Sequence, residues 1–337
     1  MVDTPLPHNP SNGVTAGVWR RESVVHKVLT RRREAPAHWA ASEDPRHWNY
    51  WKREALVYET ALPERLGIGA PRLLELTGSP QGDLELELEH VEGRHGASLL
   101  VEDLEAVAHL LGRAQGRADL PSAAWLSRNF LRVYGDSRPA DWALLHDDAA
   151  WAQPLMRKHF GPDLRDGLVR MHAGHERLLV TMDGLPRTVC HLDVWPNNIV
   201  RRASGEIVLL DWAFVGDGAL GEDIGNLIPD SVFDLHLPSD LLGELDARLT
   251  RAYLDGLREA GWDGDERVVR LGICASAVKY DWLTAYCLTH AGADAHLGYG
   301  LGSTVDPDIR YAARAAGLGL CARWADEAEA LARELAD

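Results

Sequence analysis

The densest polar chemistry in this 337-residue chain lies between residues 188 and 212. His191, Asp193 and Asn198 stand in the segment His-Leu-Asp-Val-Trp-Pro-Asn-Asn, and Asp211 comes thirteen residues after Asn198, closing the apolar run Ile207 to Leu210. A carboxylate on a short loop can accept a hydroxyl proton while aligning its oxygen for attack. An amide oxygen five residues on and a second carboxylate on a neighbouring strand are hard ligands. Mg²⁺ prefers such ligands, few in number, with phosphate and water completing its shell. Singly, each residue has an ordinary structural role: a histidine in a turn, an asparagine in a loop, an aspartate at a strand end. Together, at fixed spacing and in a β context, they read as one site.

The elements around these residues must hold them. Two short β-type runs, Val189 to Val194 and Glu206 to Trp212, enclose the loop and interrupt an otherwise helical half. Leu104, Val107, Ala108 and Leu111 share a helix face, as do Leu242, Leu245, Leu249, Ala252 and Tyr253. Residues 266–291 and 306–336 are further long helical candidates. The first ninety residues read as strands around one helix. Val18 to Arg20 and Ser23 to Leu29 are β-type runs about an Arg21-Glu22 turn, 30–48 reads as a loop, and Trp51 to Leu62 as a helix. Leu73 to Leu76 and Leu84 to Val91 are two more strands, joined by a turn over 77–83. Glu92-Gly93 interrupts the pattern and marks a hinge.

HxDxxxxN followed by an apolar strand ending in Asp211-Trp212 resembles the catalytic and metal-binding loops of the aminoglycoside phosphotransferase and choline kinase family, small-molecule relatives of the protein kinases. The resemblance implies an α+β, protein-kinase-like two-lobed fold. A nucleotide-binding lobe would span 1–93, with its hinge at 86–93, and a helical lobe 94–337. It makes Asp193 the catalytic base, His191 a loop-orienting residue, and Asn198 and Asp211 the ligands of Mg²⁺, with ATP or GTP as donor. Lys27, one of four lysines in the chain, resembles the strand lysine that contacts the nucleotide's α- and β-phosphates. Arg53-Glu54 resembles the "RE" helix whose acid holds that lysine, with Glu59 as the rival. The resemblance puts a phosphate-covering loop at residues 11–17, although only Gly13 and Gly17 stand there, with backbone amides near Asn12 to Thr15 over the phosphates. It assigns purine recognition to backbone groups near Glu89 and Val91, and makes Asp223 an acid that braces the loop.

Three features separate the chain from a regulated protein kinase: Leu192 in place of the HRD arginine, Trp212-Ala213 in place of Phe-Gly, and no APE-like segment. The expected partner is therefore a small hydroxylated acceptor, held in the helical lobe near Asp230, Asp234, Tyr280, Asp281 and Trp282. Net charge is −16, with 12 Lys/Arg against 14 Asp/Glu in residues 1–95 and 23 against 37 beyond. That balance disfavours nucleic acid and suits a cationic acceptor such as an antibiotic, with a solvated surface as the plain alternative. An antibiotic-resistance kinase is the leading expectation. A metabolic sugar or amino-alcohol kinase is the alternative, as is a nucleotide-binding pseudokinase regulator, which would require a broken catalytic set. A metal-dependent hydrolase would show further histidines at ligand spacing, whereas His172 and His175 sit in an ordinary helical segment. The four cysteines read as reduced, buried thiols. No apolar run suits a membrane span, and residues 1–17 lack a basic-then-apolar leader, so a cytoplasmic protein is expected.

Overall fold

A computed structural model describes residues 3–117, 119, 121–292, 296–297 and 304–336. Short β-prone runs in the first ninety residues build one antiparallel sheet. Its strands are β1 (Thr4–Pro5), β2 (Thr15–Arg21), β3 (Val24–Leu29), β4 (Leu73–Gly78) and β5 (Leu84–Glu89), in the order β1-β2-β3-β5-β4. Lys27 lies on the central strand, opposite Val18 of β2 and Leu86 of β5. The expected helix over Trp51 to Leu62 divides into α1 (Arg53–Glu59) and α2 (Leu62–Leu66). Between them Ala61 takes a left-handed conformation, φ 50°, which a residue with a Cβ adopts singly and which ends the helical run.

The segment 30–48, expected as a loop, is a packed strap. Trp48 is 1% exposed and meets Phe214 edge-on, with ring centroids 5.2 Å apart. Its indole and that of Trp39 carry enough apolar area to hold the strap against the core. Val14, Leu29, Trp51, Ala55, Leu86 and Leu88 form a small core under the sheet. Trp39, Trp48, Val57, Leu62 and Leu66 instead join the large core that extends through the helices.

The second part carries short strands β6 (Arg94–His95), β7 (Arg187–Cys190), β8 (Ile199–Arg201), β9 (Ile207–Leu209) and β10 (Gly216–Ala219). They pair as β6-β8-β9 and β7-β10. Val189 to Val194 is therefore not one strand: β7 stops at Cys190, and Leu192 turns the chain at φ 66°. Gly93 enters this region so close to β8 that a Cβ there would lie 2.3 Å from the Arg201 carbonyl oxygen. The remaining helices are α3 (Val101–Gln115), α4 (Phe130–Asp136), α5 (Asp148–Trp151), α6 (Pro154–His159), α7 (Pro162–Ala173), α8 (His175–Gly184), α9 (Glu222–Phe233), α10 (Leu242–Glu259), α11 (Glu266–Ala275), α12 (Asp281–His290) and α13 (Pro307–Glu334). A 3-10 segment, Ser276–Tyr280, breaks the expected helix over 266–291 into α11 and α12. All four cysteines are buried and free. Among the described residues no helix is long and apolar enough to cross a membrane. The fold is α+β, with a small sheet lobe and a larger helical lobe, as in the protein kinases.

Candidate active site

Lys27 joins the two parts of the site. Its Nζ lies 2.6 Å from Glu54 Oε2 on α1 and 2.9 Å from Asp211 Oδ1 beyond β9. Burial works against the ammonium, but Asp211 and Glu54 overcome it and raise the amine's pKa, so Lys27 stays charged. Burial raises the Glu54 carboxyl, with Lys27 pulling the other way. For Asp211 burial is again the largest influence and opposes charge, yet Lys27 outweighs it and the carboxyl's pKa is lowered. Glu59, the rival acid, is exposed at the end of α1, whereas Glu54 is 2% exposed.

The loop after β7 is pinned at both ends. Asp223, fully buried in the first turn of α9, accepts the backbone N–H groups of His191 at 2.9 Å and Leu192 at 2.8 Å. Gln115 Nε2 donates to the same carboxylate at 2.7 Å, and Gln115 Oε1 accepts the Tyr253 hydroxyl at 2.6 Å. These bonds hold Leu192 in its left-handed conformation, so Asp223 braces the loop as the resemblance implied. His191 Nε2 donates to the Leu210 carbonyl at 3.0 Å while its Nδ1 accepts the Asp193 N–H at 3.3 Å. A carbonyl can only accept, so the proton sits on Nε2. Burial lowers the imidazole's pKa and keeps it neutral. The Leu210 N–H donates to the Asn198 carbonyl at 2.8 Å, so one residue, Leu210, ties the metal-type loop to the loop carrying Asp193.

Asn198 Nδ2 donates to both the backbone oxygen and Oδ2 of Asp193, at 2.9 and 2.8 Å. That geometry leaves the amide oxygen of Asn198 and the half-exposed carboxylate of Asp211 as hard donors on facing sides of the β8–β9 hairpin. The donor set fits Mg²⁺. The Asp193 carboxyl is pushed up to about 7 by burial first and by Asp211 second, with Lys279 and Asn198 opposing. Among the described residues, the cluster with three close metal-type ligands is His26, Glu85 and Glu87 on the sheet, not around His191.

Sequence reasoning missed the role of Arg53. This guanidinium is 0% exposed and donates only to backbone carbonyls: Trp125 at 3.0 Å, Trp48 at 2.7 Å, Ala213 at 3.1 Å, Pro45 at 2.9 Å and His47 at 2.7 Å. It fastens α1, and with it the adjacent Glu54, to the strap and to the residues just after Asp211. Burial lowers its pKa to about 9. The signal was the arginine beside Glu54, but its partners are carbonyls and leave no sequence pattern.

The remaining expected site residues are placed differently from one another. Gly13 N–H donates to the Trp39 carbonyl at 2.8 Å and Val14 N–H to Asn12 Oδ1 at 3.0 Å. Thr15 pairs with Leu29 in the sheet. The Gly13 amide is thus bonded to the strap and the Val14 amide to the side chain of Asn12 within the segment itself. Glu89 ends β5 and ion-pairs with Arg202 at 2.7 Å, with half-buried Val91 two residues on. Asp230 lies on α9, which packs on the loop holding Asn198, and Asp234 caps its C-terminal end. Asp281 does not stand open beside them. Its side chain is 2% exposed, and one carboxylate oxygen lies 2.8 Å from both His172 Nδ1 and His175 Nδ1. Trp282 is half-buried and packs edge-on against Tyr286, 5.8 Å between centroids.

A two-lobed fold with a lysine–acid pair facing an HxDxxxxN loop and a strand-end aspartate defines a kinase-like phosphotransferase. Residues 25–265 match the family model of the phosphotransferase enzyme family (APH), and the chain belongs to that family. It is accordingly a small-molecule phosphotransferase, a kinase acting on a hydroxyl. No curated protein matches its sequence. Among solved structures it is similar to the amicoumacin kinase hAmiN in complex with AMP-PNP, Ca²⁺ and Ami, with 13% identity, TM-score 0.52, and coverage of 97% of this chain and 88% of that one. It is also similar to the choline kinase LicA of Streptococcus pneumoniae, at 13% identity, TM-score 0.45 and coverage of 94% and 93%. A thermostable mutant of aminoglycoside phosphotransferase APH(4)-Ia, in a ternary complex with AMP-PNP and hygromycin B, matches at 13% identity, TM-score 0.48 and coverage of 97% and 94%.

Proposed function

We propose that this protein transfers the γ-phosphate of ATP or GTP to a hydroxyl of a small molecule, with Asp193 as base and Asn198 and Asp211 holding Mg²⁺. The observation that carries the reading is Lys27, set between Glu54 and Asp211 across 184 residues of sequence. That placement leaves one charged amine at the seam between sheet and metal-type loop, where nucleotide phosphates must lie in this fold. Residues 1–93 then form the nucleotide-binding lobe, with a hinge at 86–93 whose backbone near Glu89 and Val91 meets the base, and 94–337 form the acceptor lobe.

Phosphoryl transfer demands orientation and charge neutralisation rather than covalent help. Bound Mg²⁺ neutralises the transferred phosphoryl charge. Lys27, held by Glu54, contacts the phosphates. Asp193, steadied by Asn198 and by the Asp223 brace behind His191, aligns the acceptor hydroxyl and receives its proton on a carboxylate oxygen. The intact set of Lys27, Glu54, Asp193, Asn198 and Asp211 favours an active enzyme over a pseudokinase. A hydroxylated antibiotic is the acceptor class suggested by the family, with resistance as the role and the cytoplasm as its place.

The test is Mg²⁺-dependent nucleoside diphosphate release, with ATP and GTP, over a panel of aminoglycosides, nucleoside and peptide antibiotics, choline and sugars. Acceptor-dependent turnover supports the reading. A chain that binds no Mg-nucleotide overturns it.

A further inference from the structure

The acids expected to hold a cationic acceptor already have cations of their own. Lys279 Nζ lies 3.5 Å from Asp230 Oδ2, with the lysine side chain 7% exposed and the acid 22%. At the C-terminal end of α9, Arg310 Nη1 lies 2.8 Å from Asp234 Oδ1 and donates to the Phe233 carbonyl at 2.8 Å. Arg310 is 0% exposed, and its Nε and Nη2 are buried without a hydrogen-bond partner. Arg314, one turn along α13 and near enough to act on Asp234, has no acid partner among the described residues. Its guanidinium lies over Tyr286, 5.2 Å from the ring centroid. His236 adds a buried imidazole with both nitrogens unpartnered, and burial keeps it neutral by lowering its pKa to about 4.

Lys279 and Asp230 are also the charges felt by Asp193 after Asp211. The wall next to the base therefore carries three cations, Lys279, Arg310 and Arg314, against two acids. Arg310 and Arg314 give it surplus donors, while neutral His236 adds one donor and one acceptor. A polycation entering there would meet acids already neutralised and the Arg314 guanidinium, which has no acid partner among the described residues.

We propose that the acceptor of this enzyme is a hydroxylated molecule that is neutral or singly anionic, recognised through acceptor oxygens by Arg314, and not a polycationic amino sugar. Lys279 is the specificity-determining residue: by compensating Asp230 it removes the anionic subsite. The proposal rests on the phosphotransferase reading for the location of the acceptor wall.

The experiment is calorimetric titration of the full-length protein with kanamycin as the polycationic probe, at pH 8, comparing wild type with Lys279→Gln. Removing a unit charge beside Asp230 is expected to tighten kanamycin binding at least about fivefold, the Coulombic effect of one charge near 4 Å even at the dielectric constant of water. Unchanged or weaker binding in the variant overturns the proposal, as does wild-type binding tighter than roughly 10 μM. Should Lys279→Gln fail to fold, Arg314→Gln gives the same reading, since its half-buried guanidinium acts on Asp234 without forming an ion pair among the described residues. Mg-ATP titrations on the same samples separate the two claims. Loss of Mg-ATP binding by the wild type refutes the phosphotransferase reading, whereas the kanamycin comparison alone decides the charge rule.

Discussion

Glu54 and Lys27 meet at 2.6 Å, joining α1 to the central strand of the sheet, and Asp211 approaches the same ammonium at 2.9 Å. Glu54→Gln keeps the shape of the side chain and removes its charge, leaving Lys27 drawn to Asp211 alone. A hydrogen bond to a charged group contributes about 1.5–3 kcal/mol. The variant should therefore lose about ten- to a hundredfold in kcat/KM for the nucleotide while remaining folded, as checked by steady-state kinetics and thermal melting.

Arg53 satisfies all five of its N–H donors with backbone carbonyls drawn from three stretches of chain. Arg53→Ala strands several of these carbonyls without solvent, at about 1–3 kcal/mol for each one left unmade. The expected loss is at least about 4 kcal/mol in chemical denaturation. Arg53→Lys should not restore it, because one ammonium cannot reproduce a planar fork of five donors.

Asp281 lies between His172 and His175, and its stabilising effect is pH-dependent. Its pKa is lowered: burial raises it, but the two histidines prevail. That part of the stability exists above the ordinary aspartate value, 3.8, and is lost as pH falls through the lower folded value. The His175 pKa is raised, chiefly by its hydrogen bond to Asp281. That contribution is complete below the ordinary histidine value, 6.5, and disappears as pH rises through the higher folded value. The stability gap between wild type and Asp281→Asn should then be widest, at about 3 kcal/mol, between roughly pH 4 and 6. It should narrow above that window, as read from urea midpoints across pH. A gap that widens toward pH 9 would contradict the assignment.

The chemistry-bearing spacing of His191, Asp193, Asn198 and Asp211 was readable because hairpin geometry repeats locally: Ile199 pairs with Leu209, bringing the two loops together. The Lys27–Glu54 pair was readable only through the resemblance, since residues 27 apart carry no spacing rule across a strap. What escaped was long-range packing. Trp39 and Trp48 turned a polar, proline-containing stretch into core. Ala61 divided a helix whose composition was uniform, because a left-handed residue without glycine has no sequence signature. The negative balance of the second half does not reveal where its acids are held. Asp230, Asp234 and Asp281 are compensated by Lys279, Arg310 and two histidines, all from other elements. Net charge counts acids without saying which of them are paired.

Asp193→Asn, measured against Asp211→Asn, tests the central claim most directly. Asparagine preserves the shape of the base and its contact with Asn198 but cannot take the hydroxyl proton. Turnover in Asp193→Asn should fall by about 10²–10⁴-fold, with Mg-nucleotide affinity within a few-fold of wild type. Asp211→Asn should instead weaken Mg-nucleotide binding itself. Retained turnover in Asp193→Asn, or equal loss of nucleotide binding in both variants, would contradict the assignment of base and metal ligand.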